Sequence, residues 1–340
     1  MTSPTHLPQR QLGQGGPAVS AIGLGCMGMT DLYGPADYDE SVATIRAALE
    51  AGITLLDTGD FYGMGSNELL IRDALRETKR EDVLISVKFG AQRDPDGAWL
   101  GYDARPQAVK TALAYTLKRL STDYVDVYRP ARLDPNVPIE ETVGAIKELI
   151  EAGHVRHVGL SEIGAETLRR AHAVHPVSDL QIEYSLISRG IEQEILPAAR
   201  ELGVGITAYG VLSRGLISGH WRRDRETAQS DFRSRSPRFS RENLDRNLEL
   251  ADALGEVAAA KGATAAQAAI AWVLSRGQDI VPLVGARRRD RLTEALGALD
   301  LNLTREDLET IERAVPADQA AGDRYDPRQM AMLDSENSTR

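Results

Sequence analysis

Cysteine is nearly absent. Cys26 is the sole one in 340 residues, so no intrachain disulfide can form, and a reducing, cytoplasmic setting is expected. The six histidines form no cluster at metal-ligand spacing. His172 and His175 stand three apart on a predicted helix without a third ligand, so they read as surface residues and no metal is expected. No apolar run reaches the roughly 18 residues a membrane helix needs. Met1 to Gly16 is polar and lacks the apolar centre of a signal peptide. Positive charge is in deficit, with 40 Lys and Arg against 50 Asp and Glu for a net charge of −10. That balance argues against nucleic acid or an anionic membrane as partner, since both would be repelled. What is plentiful is apolar residue, 42% of the chain, enough for a large core. The oligomeric state stays open.

Short β-type runs alternate with amphipathic helical stretches along the chain. The runs are SAIGLG at 20, ITLLDT at 53, VLISVKF at 83, VDVYRP at 125, VRHVGLS at 155, LQIEYS at 180, VGITAYG at 204 and DIVPLVG at 279. Between them, stretches such as 39–52, 105–120 and 139–153 repeat apolar residues at three and four. A strand followed by a helix, eight times over, predicts an α/β protein closing into a (β/α)8 TIM barrel, one domain spanning 1–340. The Gly-Gly-Pro turn within residues 10–20 predicts a hairpin before the barrel. Residues 213–246 are charged and serine-rich and read as a long mobile loop over the barrel mouth. The polar tail 319–340 is expected to fray or to fold over the same face.

Asp57 and Lys88 stand where the second and third runs give out, and Tyr62 follows Asp57 by five residues. Parallel strands release their loops on one side, so an acid, a phenol and an amine can share one pocket. That set suits proton transfer. A phenol has a reference pKa of about 10, and an adjacent ammonium is expected to lower it, with Asp57 holding Lys88 charged. Gly23, Gly25 and Gly28 match G-x-G-x-x-G, the fingerprint of dinucleotide-binding Rossmann folds. The context fails, because a turn-rich loop follows and the next helix begins only near Tyr38, so these glycines read as a tight strand exit with backbone close to a ligand.

From about residue 10 to 315 the chain resembles the aldo-keto reductase family, in its bacterial branch. The resemblance rests on GLGCMGM near the start, D-T-x-x-x-Y-G at 57–63, SVKFG around Lys88, VGLSE at 158–162, QIEYS at 181–185 and AYGVLSRGLISG at 208–219. It implies a barrel that binds NADPH at its C-terminal face and transfers a hydride to a carbonyl. Tyr62 then matches the proton donor, supported by Asp57 and Lys88. Ser161 and Gln181 match positions that grip the nicotinamide carboxamide, while Glu162 stands where many relatives have asparagine. Tyr209 matches the aromatic that stacks on the nicotinamide. Leu212, Ser213, Arg214 and Gly215 match the pyrophosphate loop, and the segment from Gly285 to 296 matches the one that recognises the adenosine 2′-phosphate. Within it Arg287, Arg288 and Arg291 offer the planar donors a phosphate favours. Arg289 reads as a surface charge, and Ala295 replaces an asparagine common in relatives.

The largest departure follows the fourth strand. Relatives read V-D-L-Y-x-x-H-R-x-D-P, and this chain has Ala131 where the catalytic histidine stands. Losing one such donor costs about two to three powers of ten in rate when nothing replaces it. Arg129 and Arg132 are the candidates to replace it, and the alternative is that Tyr62 works alone. Three functions fit: an NADPH-dependent reductase of aldehydes or activated ketones, a reductase of conjugated C=C bonds or bulky ketones, and a cofactor-sensing regulatory subunit.

Overall fold

A computed structural model describes residues 7–30, 32–225, 227–228 and 231–336. The expectations for the N-terminal segment, the loop 213–246 and the tail 319–340 therefore fall partly outside the described residues. The chain opens with an antiparallel hairpin of β1 (Gln9–Gln11) and β2 (Ala18–Ser20). Eight parallel strands then close a barrel in the order β3 (Gly23–Gly25), β4 (Leu55–Gly59), β5 (Leu84–Phe89), β8 (Val125–Pro130), β9 (Val155–Ser161), β10 (Val177–Glu183), β11 (Gly205–Tyr209) and β12 (Ile280–Gly285). Two strands absent from the sequence reading, β6 (Ala91–Arg93) and β7 (Trp99–Tyr102), form a second hairpin after β5. The first barrel strand is shorter than its run suggested, because Ser20 pairs inside the N-terminal hairpin.

The helices around the barrel are α1 (Tyr38–Glu50), α2 (Ser66–Ala74), α3 (Pro106–Leu120), α4 (Ile139–Glu151), α5 (Ala165–Val174) and α6 (Ile195–Leu202). They continue with α7 (Arg241–Ala259), α8 (Ala265–Ser275), α9 (Arg289–Leu296), α10 (Arg305–Ala314) and the short α11 (Pro327–Met330). Four of them, α1, α8, α10 and α11, start on polar caps where the backbone leaves N–H groups unpaired. Asp37 accepts from the Glu40 N–H at α1, and capping boxes Thr264–Gln267 and Thr304–Asp307 open α8 and α10. The late start of α1 at Tyr38 removes the Rossmann reading of the glycine-rich exit: Met27–Met29 is a 3₁₀ turn, not a helix. Among the described residues no helix is long and apolar enough to cross a membrane.

Side chains alternate along a strand, so every second residue points into the barrel. The lowest inward layer is apolar. Leu55, Leu84, Val127, Val281 and Leu283 form one cluster, and Leu12 and Val19 of the N-terminal hairpin plug it from below. The hairpin thus closes the end of the barrel opposite the loops that follow the strands.

Candidate active site

Two residues further along the same inner faces, the barrel interior turns polar. Asp57 on β4 faces Ser86 on β5 in register, and Gly59 faces Lys88. Both Asp57 oxygens are occupied: Lys88 Nζ donates to Oδ1, while Ser86 Oγ at 3.0 Å and Gln181 Nε2 at 2.7 Å donate to Oδ2. The carboxylate is 4% exposed, so this ion pair lies out of water. Burial pulls the Lys88 ammonium down and Arg129 adds to this, against the attraction of Asp57.

Arg129 belongs to that layer and not to the mouth. Its Nη1 donates to Asp179 Oδ2 at 2.9 Å and to the Leu160 carbonyl at 3.3 Å, and its Nη2 donates to Ser86 Oγ at 2.8 Å. Thr207 donates to the same Asp179 oxygen. Gly159 makes the room, since a Cβ there would lie 3.0 Å from the Arg129 Cζ and 2.9 Å from Asp179 Oδ1. A fully buried, salt-bridged guanidinium is unavailable to stand in for the missing histidine.

Tyr62 begins the turn after β4 and is 5% exposed. Gly63, Met64 and Gly65 follow with φ of 53°, 52° and 96°, a left-handed run that holds the phenol in place and strains Met64. Lys88 Nζ lies 5.2 Å from the centre of the Tyr62 ring. The expected lowering of the phenol by Lys88 is not what this arrangement does. The ammonium is committed to Asp57, and burial first, then the Asp57 charge, push the Tyr62 pKa well above its ordinary value. The cation that pulls it back is Arg132. Phe61 meets Tyr62 edge-on at 4.8 Å and Trp99 of β7 at 6.2 Å, so an apolar rim adjoins the phenol.

At the strand ends, Ala131 is 3% exposed and its N–H donates to the Phe89 carbonyl at 2.8 Å. Arg132 beyond it is half-buried. Its Nη1 donates to the Ala131 carbonyl at 2.6 Å and to Ser161 Oγ at 3.4 Å, and its Nη2 donates to the Tyr325 hydroxyl at 3.2 Å. Burial works against its charge, and Tyr209, Tyr325 and Glu162 more than offset that.

Glu162, where relatives have asparagine, sits in a left-handed conformation with φ of 54° and is fully buried. Arg324 of the tail donates Nη1 to its Oε1 at 2.9 Å and Nη2 to its Oε2 at 2.6 Å. Tyr209 donates its hydroxyl to Oε1 at 2.6 Å, and Ser335 donates to Oε2 at 2.7 Å. Burial raises the Glu162 pKa, but Arg324 outweighs burial and holds the carboxyl well below its usual range. Glu183 is treated alike: burial opposes its charge, and Arg214, Arg324 and Arg238 prevail. The tail thus lies across the mouth and supplies Arg324 and Tyr325. Sequence reasoning missed both, since neither stands in a motif, and it missed Glu183 as the partner of three arginines.

The expected cofactor residues line the same mouth with their polar groups engaged. Gln181 donates to Asp57, Ser161 accepts from Arg132, and the Tyr209 and Tyr325 hydroxyls lie 2.9 Å apart. Leu212 precedes a tight 3₁₀ turn, Ser213–Gly215, whose φ angles of 46°, 59° and 94° are all left-handed. Arg214 donates to Glu183 Oε2 at 3.1 Å and to the Arg324 carbonyl at 3.0 Å. The stretch 213–246 is not featureless: it carries further 3₁₀ turns at Phe232–Arg235 and Pro237–Phe239, with Arg233 and Arg238 buried.

Gly285 ends β12, and the arginines follow at the start of α9. Arg287 donates to the carbonyls of Tyr33, Gly34 and Pro35, Arg288 pairs with Asp290, and Arg291 pairs with Glu294 and meets His220. Arg289 pairs at the surface with Glu40. Ala295 is buried.

The Aldo/keto reductase family profile matches residues 21–316. The chain is 43% identical over 318 residues to Probable aldo-keto reductase 1 of Glycine max, covering 93% of this chain and 91% of that protein. Among solved structures it resembles a glycerol dehydrogenase from Gluconobacter oxydans, with a TM-score of 0.81 and 29% identity over 92% of this chain and 95% of that one. It also resembles a thermostable aldo-keto reductase in complex with the inhibitor epalrestat, with a TM-score of 0.72 and 27% identity over 91% of this chain and 100% of that one.

Proposed function

The chain belongs to the aldo/keto reductase family, an oxidoreductase family of carbonyl-reducing barrels, and on that premise we propose that it is an NADPH-dependent reductase of aldehydes and activated ketones with Tyr62 as proton donor. The observation that carries this reading is the buried Asp57–Lys88 pair set against the Tyr62 ring, with the ammonium 5.2 Å from its centre. A phenol pushed upward by burial stays protonated at neutral pH, so the donor is loaded before the substrate arrives. An alkoxide forming on the substrate is a far stronger base than a phenolate and takes that proton. Arg132 then bears on the phenolate left behind, because it is the cation that acts on this phenol.

The donor set suits a nicotinamide dinucleotide. Gln181 gives its amide nitrogen to Asp57, which leaves the carbonyl end for a carboxamide, and the Ser161 hydroxyl stands across from it on the neighbouring strand. Tyr209 offers a ring at the mouth. The left-handed turn at Ser213–Gly215 and the guanidinium groups of Arg287, Arg288 and Arg291 suit phosphate oxygens. Arg287, Arg288 and Arg291 favour NADPH over NADH because three planar cations match a 2′-phosphate. Reduced nicotinamide, when bound, supplies a hydride. The protein binds and orients both reactants, keeps water from the Asp57–Lys88 pair and delivers the proton of Tyr62.

With Ala131 in place of an imidazole, the substrate carbonyl receives one fixed donor fewer. Activated carbonyls, which need little polarisation, are therefore the expected substrates. Steady-state oxidation of NADPH over a panel of simple aldehydes, 1,2-dicarbonyls, ketones and enones tests the reading. Turnover concentrated on the 1,2-dicarbonyls supports it. Turnover of enones alone, or of nothing in the panel, contradicts it.

A further inference from the structure

Arg132 differs in its partners from Lys88, Arg214, Arg233, Arg238 and Arg324. Arg214 and Arg238 are paired with Glu183, Arg324 with Glu162, Arg233 with Asp231 and Lys88 with Asp57. Among the described residues Arg132 forms no ion pair. Its hydrogen bonds go to the Ala131 carbonyl and to the hydroxyls of Ser161 and Tyr325, all neutral. Glu162 acts on it only at a distance, because Arg324, Tyr209, Ser335 and the Glu183 N–H take up both carboxylate oxygens. A half-buried guanidinium whose hydrogen bonds all go to neutral acceptors keeps its fork of donors open to an anion, and a carboxylate makes a stronger partner there than any hydroxyl or carbonyl. The two hydroxyls on its nitrogens can turn from accepting to donating, so the surroundings are as ready for a carboxylate as the guanidinium is.

The position of this cation restricts which anion fits. Its charge reaches Tyr62, Tyr102 and Tyr209, so it stands over the same pocket as the proton donor. Arg132 follows β8 and Tyr62 follows β4, with β5 between them, so both stand over adjoining strand ends. A substrate whose anionic group meets Arg132 and whose carbonyl oxygen meets Tyr62 carries both groups at one end, and a 2-oxo acid is the simplest such compound. Past Tyr62 the pocket turns apolar through Phe61 and Trp99, with Leu100 of the same hairpin 66% exposed at the rim. The Ala131 side chain, a methyl group, leaves room between.

We propose that this site takes 2-oxo acids bearing an aryl or bulky apolar substituent, with Arg132 gripping the carboxylate while Tyr62 protonates the adjacent ketone oxygen. The proposal rests on the reductase reading above. In the reaction the ketone carbon accepts the hydride supplied by reduced nicotinamide. The C=O π electrons pass to oxygen, and that oxygen takes the Tyr62 phenol proton. The products are a 2-hydroxy acid and oxidised nicotinamide, and the phenolate recovers its proton from solvent water. The carboxylate also draws electron density from the ketone, which is the activation a site without the imidazole requires.

The test compares phenylglyoxylate with its methyl ester, which keeps the activated ketone and removes the charge. Steady-state NADPH oxidation gives kcat/KM for each, and calorimetric titration of phenylglyoxylate into the NADP⁺-loaded protein gives binding without turnover. The acid is expected to exceed the ester in kcat/KM by about tenfold or more, as befits a site built for a group the ester lacks. In Arg132→Met that ratio falls to about one and the calorimetric binding is lost. Arg132→Lys, which keeps the charge but loses the planar fork, gives an intermediate ratio and guards against a Met variant that fails to fold. An ester reduced as well as the acid, or an acid-to-ester ratio unmoved by either substitution, overturns the proposal. Arg132-dependent binding of phenylglyoxylate in a protein that reduces neither compound overturns the reductase reading and leaves the carboxylate grip standing.

Discussion

Gln181 on β10 donates its Nε2 to Asp57 Oδ2 on β4 at 2.7 Å, across the inside of the barrel. Together with Lys88 and Ser86 it surrounds one buried carboxylate with three donors from two further strands. Asp57→Asn keeps the shape and removes the charge, leaving the Lys88 ammonium buried without its partner. A loss of about 3 kcal/mol or more in unfolding free energy is expected, together with loss of turnover. Denaturant melts of the two proteins check it. An equally stable variant would mean that Lys88 does not depend on this carboxylate.

Asp60, three residues on, is a half-buried acid that answers to pH. Burial, with the nearby Glu68 charge, pushes its pKa up to about 7, and among the described residues its Oδ1 has no hydrogen-bond partner. The fold therefore holds a proton that the unfolded chain has released, so stability falls as pH rises from about 4 to about 7 and is level above that. The contribution lost is on the order of 4 kcal/mol. Asp60→Asn is expected to flatten this part of the profile and to be the more stable protein at pH 8. Urea denaturation at pH 5, 6.5 and 8 measures it, and parallel profiles for the two proteins would count against the assignment.

The arginines at the start of α9 are each held by local partners. A 2′-phosphate arriving at Arg291 competes with Glu294, whose Oε2 lies 3.1 Å from Nη1. Arg291→Ala is expected to raise the dissociation constant for NADPH by about tenfold or more, the worth of one charged hydrogen bond, with little change for NADH. Fluorescence titration with both cofactors decides. Equal affinities in the unsubstituted protein would remove the case for NADPH.

Arg324 ties the tail to the mouth through Glu162, and Glu162 has no water to fall back on. Arg324→Ala is expected to lower stability by about 3 kcal/mol and to expose the tail to proteolysis. Adding Glu162→Gln in the same protein restores a large part of the stability, because the uncompensated charge is gone. Limited proteolysis and denaturant melts follow both effects. A single and a double variant of equal stability would show that the pair does not act as a unit.

The barrel was legible because strands buried on both faces write themselves as short apolar runs between amphipathic helices, and all eight runs became barrel strands. Asp57, Tyr62 and Lys88 were legible as a set because strand ends on one side of a parallel sheet must converge. The hairpin Ala91–Arg93 with Trp99–Tyr102 was not, since its sequence, AQRDPDGAWLGY, shows no alternation and reads as loop. Arg129 and Arg132 could not be told apart by type. The pleat decides between them: Arg129 is still on the strand and points into the barrel, while Arg132 lies beyond its end and opens to the mouth. Arg324 meets Glu162 across 162 positions of chain, a distance over which neither composition nor spacing carries a signal.

The central claim is that Tyr62 delivers the proton. Rapid mixing of the NADPH-loaded protein with phenylglyoxylate, comparing the parent with Tyr62→Phe in a single turnover, tests it most directly. The account predicts a rate lower by about two to four powers of ten in the variant, the usual contribution of a positioned proton donor, with NADPH bound as tightly as before. A variant that keeps most of the parent rate would place the donor elsewhere and contradict the account.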